Sequence, residues 1–283
     1  MAANISFDDR INHQATTKDL SLPLIKEFLY KVESPLFEHA DSIPFIDLCP
    51  QIQIVKGQVE QLKPINAGLL LFNDKPDQFF PVTQIDVVIY HDEIGDQFSE
   101  KVFTGPVHKQ LQNALDFIHT NVIHEEVVKV EGRAEANRFY NYPYAAIEEV
   151  LANAVYHKSY ERRNPIEVNI RSDRIEVLSF PGPLPPVDNK MLKKRRIVSR
   201  EYRNRRIGDF LKELHLTEGR ATGFPKIYDA MKKNGSPEPE FETDDERTYF
   251  LATLPIHPGI KRRGEAEGEV RGEVREETVA IDL

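Results

Sequence analysis

The stretch "YAAIEEVLANAVYHKSY", Tyr144 to Tyr160, decides how the rest of the chain is read. At about 100° per residue, Ile147, Val150, Leu151, Ala154 and Val155 fall on one apolar stripe, the mark of a helix laid on a core. Glu149, Asn153 and Tyr156 fall on the opposite side, with His157 at its edge. A four-residue step stacks the Glu149 carboxylate and the Asn153 amide one turn apart. An Asn carbonyl oxygen is a hard, neutral ligand for Mg²⁺, and a neighbouring carboxylate can accept a proton from water. A solvated polar face would explain the same pattern. The segments around the helix must therefore decide between the two.

Downstream, "NPIEVNIRSDRIEVLSFPGPLPP" alternates apolar and polar residues on both sides of Ser172-Asp173, which predicts two antiparallel strands around a turn. "PGPLPPVDNK" cannot continue as regular structure, because its prolines lack amide donors. "RRIGDFLKELHL" reads as a helix. "TEGRATGFPKIYDAMKKNG" reads as a glycine-bearing loop that runs into a helix ending at Asn234-Gly235. Gly219, Thr222 and Gly223 stand just ahead of that helix. Glycines there let backbone amides approach phosphates, and a helix N-terminus favours anions. "RTYFLATLPI" is a last strand.

Upstream, residues 1 to about 60 read as short helical pieces. A buried segment surrounds Leu69 to Phe72, a strand runs from Ile85 to Tyr90, and "HKQLQNALDFIHTNV" is a helix. "VVKVEGRAEANRFYNYPYA" reads as a bend before Pro143. From Gly264 the chain repeats Gly-Glu at Gly264, Gly268 and Gly272, with few large apolar groups, and is expected to be disordered.

The global numbers narrow the function classes. A formal net charge of −9 argues against a surface that coats nucleic acid or acidic membrane all over. The single cysteine, Cys49, can build neither a disulfide framework nor a zinc site, and reads as a small buried hydrophobe. No basic start leads into an apolar run, and no segment approaches the length of a membrane span. A cytoplasmic protein with no membrane partner is expected.

The order of helix, hairpin, proline-rich linker and glycine loop resembles the nucleotide-binding fold of gyrase, histidine kinases and MutL, the GHKL or Bergerat ATPases. More narrowly, the chain resembles the histidine-kinase-like ATPase domain of RecG-related transcriptional regulators, often labelled as helicase-like. The resemblance rests on "GLLLFNDKPDQFFP", "FTGPVHKQL", "NYPYAAIEEVLANAVYHKSYE", "DRIEVLSFPGPLP", "YRNRRIGDFLKEL", "LTEGRATGFPKI" and "MKKNGSPEPEFETDDERTYFLATLPIHP". It covers roughly residues 5 to 262.

It implies an α+β fold, with a GHKL-like α/β sandwich at 135–258 preceded by a smaller mixed α/β module at 1–134 and followed by a charged tail at 259–283. It implies ATP and Mg²⁺ as cofactors. Glu149 would polarise water and Asn153 would hold the metal. Gly182 would sit at the adenine site. Gly219, Arg220, Thr222 and Gly223 would meet the phosphates. Asn204 and the residues before it would form a mobile lid. His157 is a further candidate, to orient Glu149 or meet phosphate.

The chain departs from the pattern in three places. "SFPG" puts Ser179 and Phe180 where an Asp-x-Gly normally offers its carboxylate to adenine. Ala221 replaces a common third glycine. The Schlafen/AlbA-type domain usual at the N-terminus has no counterpart, so the chain is expected to be the middle of a regulator, a shortened relative or a fragment.

"KMLKKRRIVSREYRNRRI", Lys190 to Ile207, holds nine basic residues against Glu201. It could meet nucleotide phosphates as a lid, or DNA. DNA could equally be reached through a partner domain, and a homo-oligomer is allowed. No Walker A string is present, so a helicase motor is not expected. "TDDER", Thr243 to Arg247, reads as a turn. The leading expectation is an ATP-binding, slowly hydrolysing or non-hydrolysing regulatory module. The alternatives are a non-catalytic scaffold with a degenerate site, and a DNA-binding regulator acting through 190–206.

Overall fold

A computed structural model describes residues 5–129, 136–195, 197, 201–217 and 223–260. The expected tail from Gly264, and the loop positions Gly219, Arg220, Ala221 and Thr222, lie outside the described residues.

The fold is α+β. After two 3₁₀ turns come α1 (Leu22–Lys31) and α2 (Phe45–Gln51), a small ladder of β1 (Val55–Lys56) with β2 (Lys63–Pro64), and the fully buried α3 (Asn66–Phe72). Next are β3 (Ile85–Tyr90), β4 (Phe98–Phe103), α4 (Val107–Asn121), β5 (Glu125–Lys129) and β6 (Ala136–Tyr140). The second half holds α5 (Tyr144–His157), β7 (Ile166–Ile170), β8 (Arg174–Ser179), α6 (Asn189–Leu192), α7 (Arg205–Glu213), α8 (Gly223–Asn234), β9 (Glu240–Glu242) and β10 (Phe250–Pro255).

Six strands form one mixed sheet in the order β4-β3-β7-β8-β10-β9. Only the β3–β7 pair is parallel. Along β7 and β8 every second residue is buried, as a half-covered sheet requires. Val168, Ile170, Ile175, Val177, Ala252 and Leu254 face α5 and its neighbours. Glu167, Asn169, Arg174 and Glu176 occupy the other face, and the ladder of Arg171, Arg174 and Glu176 is held by ion pairs.

The sheet takes β3 and β4 from one side of the expected boundary at residues 134 and 135, and β7 to β10 from the other. The two segments share one continuous apolar core. The reason lies in β3: its "IDVVI" pairs with β7 along five residues, Ile85 opposite Ile166 through Ile89 opposite Ile170. The short N-terminal helices pack through an aromatic cluster. Phe28 of α1, Phe72 of α3 and Phe210 of α7 meet edge-on, with ring centres 5.3 to 5.5 Å apart. Several strands escaped the sequence reading, among them the short β1, β2 and β9. β4 presents a mostly exposed "FSEKV", and β5 and β6 flank and enter the segment read as a bend.

Candidate functional site

Helix α5 begins after Pro143, which sets the backbone at its N-cap, and buries Ala146, Ile147, Val150, Leu151, Ala154 and Val155. The stripe read from the sequence is therefore its core face. Tyr156, assigned to the polar side, is also buried: its ring covers Gly208 of α7 so closely that a Cβ there would collide with it. Tyr202 stacks on Tyr156 with the rings 3° from parallel and 5.1 Å apart.

Glu149 and Asn153 open onto a cleft whose walls are largely apolar, among them Pro181, Leu184, Val187 and Phe250. Asn153 Nδ2 donates to Glu149 Oε1 at 3.1 Å. That bond leaves Asn153 Oδ1, the hard oxygen, for another partner. Lys226 Nζ of α8 lies 3.9 Å from Glu149 Oε2, and the carboxylate's side chain is only 14% exposed.

Gly223 opens α8 directly against this pair. A Cβ on it would stand 2.6 Å from Glu149 Oε1 and 2.9 Å from Asn153 Nδ2. The helix start can approach the two side chains only because residue 223 carries no side chain. Gly182 is confined in the same way, since a Cβ would meet Thr243 Oγ1 at 2.5 Å and Tyr249 O at 2.6 Å. Its N–H donates to Arg247 O at 2.8 Å, which joins the end of the β7–β8 hairpin to the segment before β10.

Ser179 ends β8 opposite Phe250 of β10, is 3% exposed, and lines the same cleft. His157 also lines it. Burial, and then the nearby Arg203 guanidinium, push the His157 ring down to about 4. The ring is neutral at pH 7, so it brings hydrogen bonding but no positive charge.

Of the residues singled out from the sequence, the cleft thus gathers Glu149, Asn153, His157, Ser179, Gly182 and Gly223. Asn204 is not among them. It is fully buried, with Nδ2 donating to Tyr156 O at 3.0 Å and Lys158 O at 2.6 Å, while its backbone carbonyl accepts from the Gly208 N–H. Those bonds make it the fixed anchor at the start of α7 and correct its assignment to a mobile lid.

Three residues that the sequence did not single out fasten the site. Arg203 donates to His157 O at 2.6 Å and to Gly182 O at 3.2 Å, tying the C-terminal end of α5 to the hairpin. Asp8 reaches across from the N-terminal segment and accepts from Ile207 N at 2.9 Å, capping α7. Tyr202 provides the stacked roof. Arg203 and Tyr202 sit inside the basic run, but their partners lie 20 or more positions away, which spacing cannot reveal. Within that run, Arg195 pairs with Glu238, and Arg206 bonds Gln53 O and lies beside Asp209.

Residues 163–254 match a family described as "Putative ATP-dependent DNA helicase recG C-terminal". By that match the region from β7 to β10 is similar to a RecG-related, ATPase-like domain, and α5 lies just ahead of it. The chain is also similar to the crystal structure of the DIP2311 protein from Corynebacterium diphtheriae. The two share 23% identity and a TM-score of 0.65, over 90% of this chain and 49% of that one. The likeness is one of fold, and the chain spans about half the length of that protein. No curated protein matches the chain.

Proposed function

We propose that the cleft binds ATP with Mg²⁺, and that the chain is the nucleotide-responsive module of a RecG-related regulator rather than a helicase motor. The observation that carries this reading is the seat of Gly223 against Glu149 and Asn153. A helix start with bare backbone is brought to a carboxylate and a carboxamide, and an apolar slot adjoins them. Helix N-termini favour phosphate oxygens, and an apolar slot suits a nucleobase.

The donor set fits Mg²⁺. Asn153 Oδ1 is spare, Glu149 is adjacent, and among the described residues no group of three or more His, Cys, Asp or Glu forms a full protein cage. Mg²⁺ usually takes one or two protein oxygens and completes its shell from phosphates and water. When bound it would neutralise phosphate charge. Lys226 adds a cation beside Glu149. Glu149 is the group placed to accept a proton from water, so any hydrolysis depends on it. Ser179 gives the base slot a hydroxyl in place of a carboxylate. It can donate or accept one neutral hydrogen bond, which favours modest affinity and modest discrimination among purines.

Isothermal titration with Mg-ATP tests this reading. Saturable binding that disappears when the metal is chelated is expected. No heat at millimolar nucleotide would overturn it and leave a scaffold without a ligand.

A further inference from the structure

The β5–β6 hairpin stands apart from the six-stranded sheet, and among the described residues its strands pair only with each other. An isolated two-stranded hairpin is only marginally stable in water. This one exposes Val127, Val128 and Tyr140 at 46% each.

The phase of its ladder can be fixed from its base. Asn141 N donates to His124 O at 3.1 Å, continuing the β5–β6 register. The Tyr140 N–H and C=O are instead taken by the Asn234 side chain, at 2.9 and 2.7 Å. In an antiparallel ladder, bonded and non-bonded pairs alternate. Glu126 and Val128 therefore turn their backbone groups towards β6. Glu125, Val127 and Lys129 turn theirs outward, where no backbone hydrogen bond among the described residues meets them.

We propose that this outward edge pairs with the same edge of a second copy of the chain, antiparallel about a two-fold axis at Val127. In that register Val127 faces Val127 of the second copy, and Glu125 faces Lys129 of the second copy at both ends. Each outward backbone group finds a partner, and the strand "EEVVK" is complementary to itself in charge. A slip of two residues puts Glu125 opposite Val127 and loses both ion pairs.

A nucleic-acid partner is disfavoured by the same residues, because Glu125 and Glu126 cancel Lys129 and Arg138 and leave no net attraction for phosphate. A five-residue edge is small beside the roughly 1,200–2,000 Å² of a stable interface. The dimer is accordingly concentration-dependent rather than obligate. The ribbon also rests on the machinery of the cleft, since Asn234 is the last residue of α8 and α5 starts four residues after Tyr140. The inference itself does not depend on the nucleotide reading.

Sedimentation velocity from low-micromolar to sub-millimolar protein tests it. The wild type is expected to associate reversibly. Glu125→Lys and Lys129→Glu, both at exposed positions, should each weaken self-association about tenfold or more, the effect of losing or reversing two cross-strand charge pairs. An equimolar mixture of the two variants should associate as well as the wild type, because opposite charges then face each other.

Val127→Cys should form a disulfide-linked dimer on mild oxidation. Bonded antiparallel pairs stand about 5.5 Å apart at Cα, within the range of roughly 4.4–6.8 Å that a disulfide bridges. Cys49, the chain's own cysteine, is buried and gives little background. Val128→Cys should not cross-link. A monomer at every concentration, association indifferent to both charge reversals, or equal cross-linking at 127 and 128 would each overturn the proposal.

Discussion

Two hairpins of nearly equal length behave oppositely in this molecule. β7–β8 lies in the middle of the sheet with α5 across one face, and its residues alternate between buried and half-buried. Among the described residues β5–β6 pairs with no third strand, and four of the five β5 residues are exposed. The first ends at Ser179 and Gly182 and so builds one wall of the cleft. The second has unpaired backbone and apolar surface to offer. The contrast shows that a strand's role depends on what covers it as much as on its own β-propensity.

Charge insertion gives the largest contrast. Val177→Asp places a carboxylate at a 1% exposed position under α5 and should cost about 4 kcal/mol or more, enough to prevent cooperative folding. Val127→Asp, at a 46% exposed position, should change monomer stability by only about 0.5 kcal/mol. Chemical denaturation of the two variants checks the pair, and similar losses at both sites would erase the distinction between the hairpins.

The next effect lies in the cleft. If the wild type turns over Mg-ATP, Glu149→Ala should lower the rate by about a hundredfold or more while leaving nucleotide affinity within about threefold. Phosphate-release kinetics beside a binding isotherm would show it, and an unchanged rate would remove Glu149 from the chemistry.

The smallest effect concerns α4, the helix that leads into the bare hairpin. His108 is 3% exposed, and burial, then Lys31 and Lys109, hold its ring down at about 4. The unfolded chain protonates this ring near pH 6.5 and the folded one does not. Stability is therefore present above about pH 6.5 and is lost as pH falls towards 4, by at most about 3 kcal/mol. Asp8, whose carboxyl is raised by burial, works in the opposite direction at the acid end. Melting curves of His108→Leu against pH should be flatter than those of the wild type over that window, and parallel curves would argue against the assignment.

The sequence made the covered hairpin readable and hid the bare one for the same physical reason. "IEVNI" and "RIEVL" alternate because one face is buried, whereas "EEVVK" has no face to bury and gives no period of two. Glu149 and Asn153 were legible because a helix brings residues four apart together. Asn204 was misread because its partners are backbone carbonyls of Tyr156 and Lys158, nearly fifty positions away. Asp8 capping α7 spans almost two hundred positions, and nothing local marks it. The expected boundary at 134 and 135 came with the family resemblance, and the parallel pairing of β3 with β7, set by tertiary packing, joins strands from both sides of it in one sheet.

In the proposed site, bare backbone at the start of α8 meets Asn153, the metal donor, and Glu149, the proton acceptor, around a metal–nucleotide complex. Binding isotherms of wild type and Gly223→Ala with Mg-ATP, measured side by side, are the most direct test. The added Cβ meets Glu149 Oε1 and Cδ and Asn153 Nδ2 first, so the cost should fall on the geometry of those two side chains. The expected result is saturable wild-type binding, weakened about tenfold or more in the variant with its melting temperature nearly unchanged. Identical isotherms, or no binding by either protein, would contradict the claim.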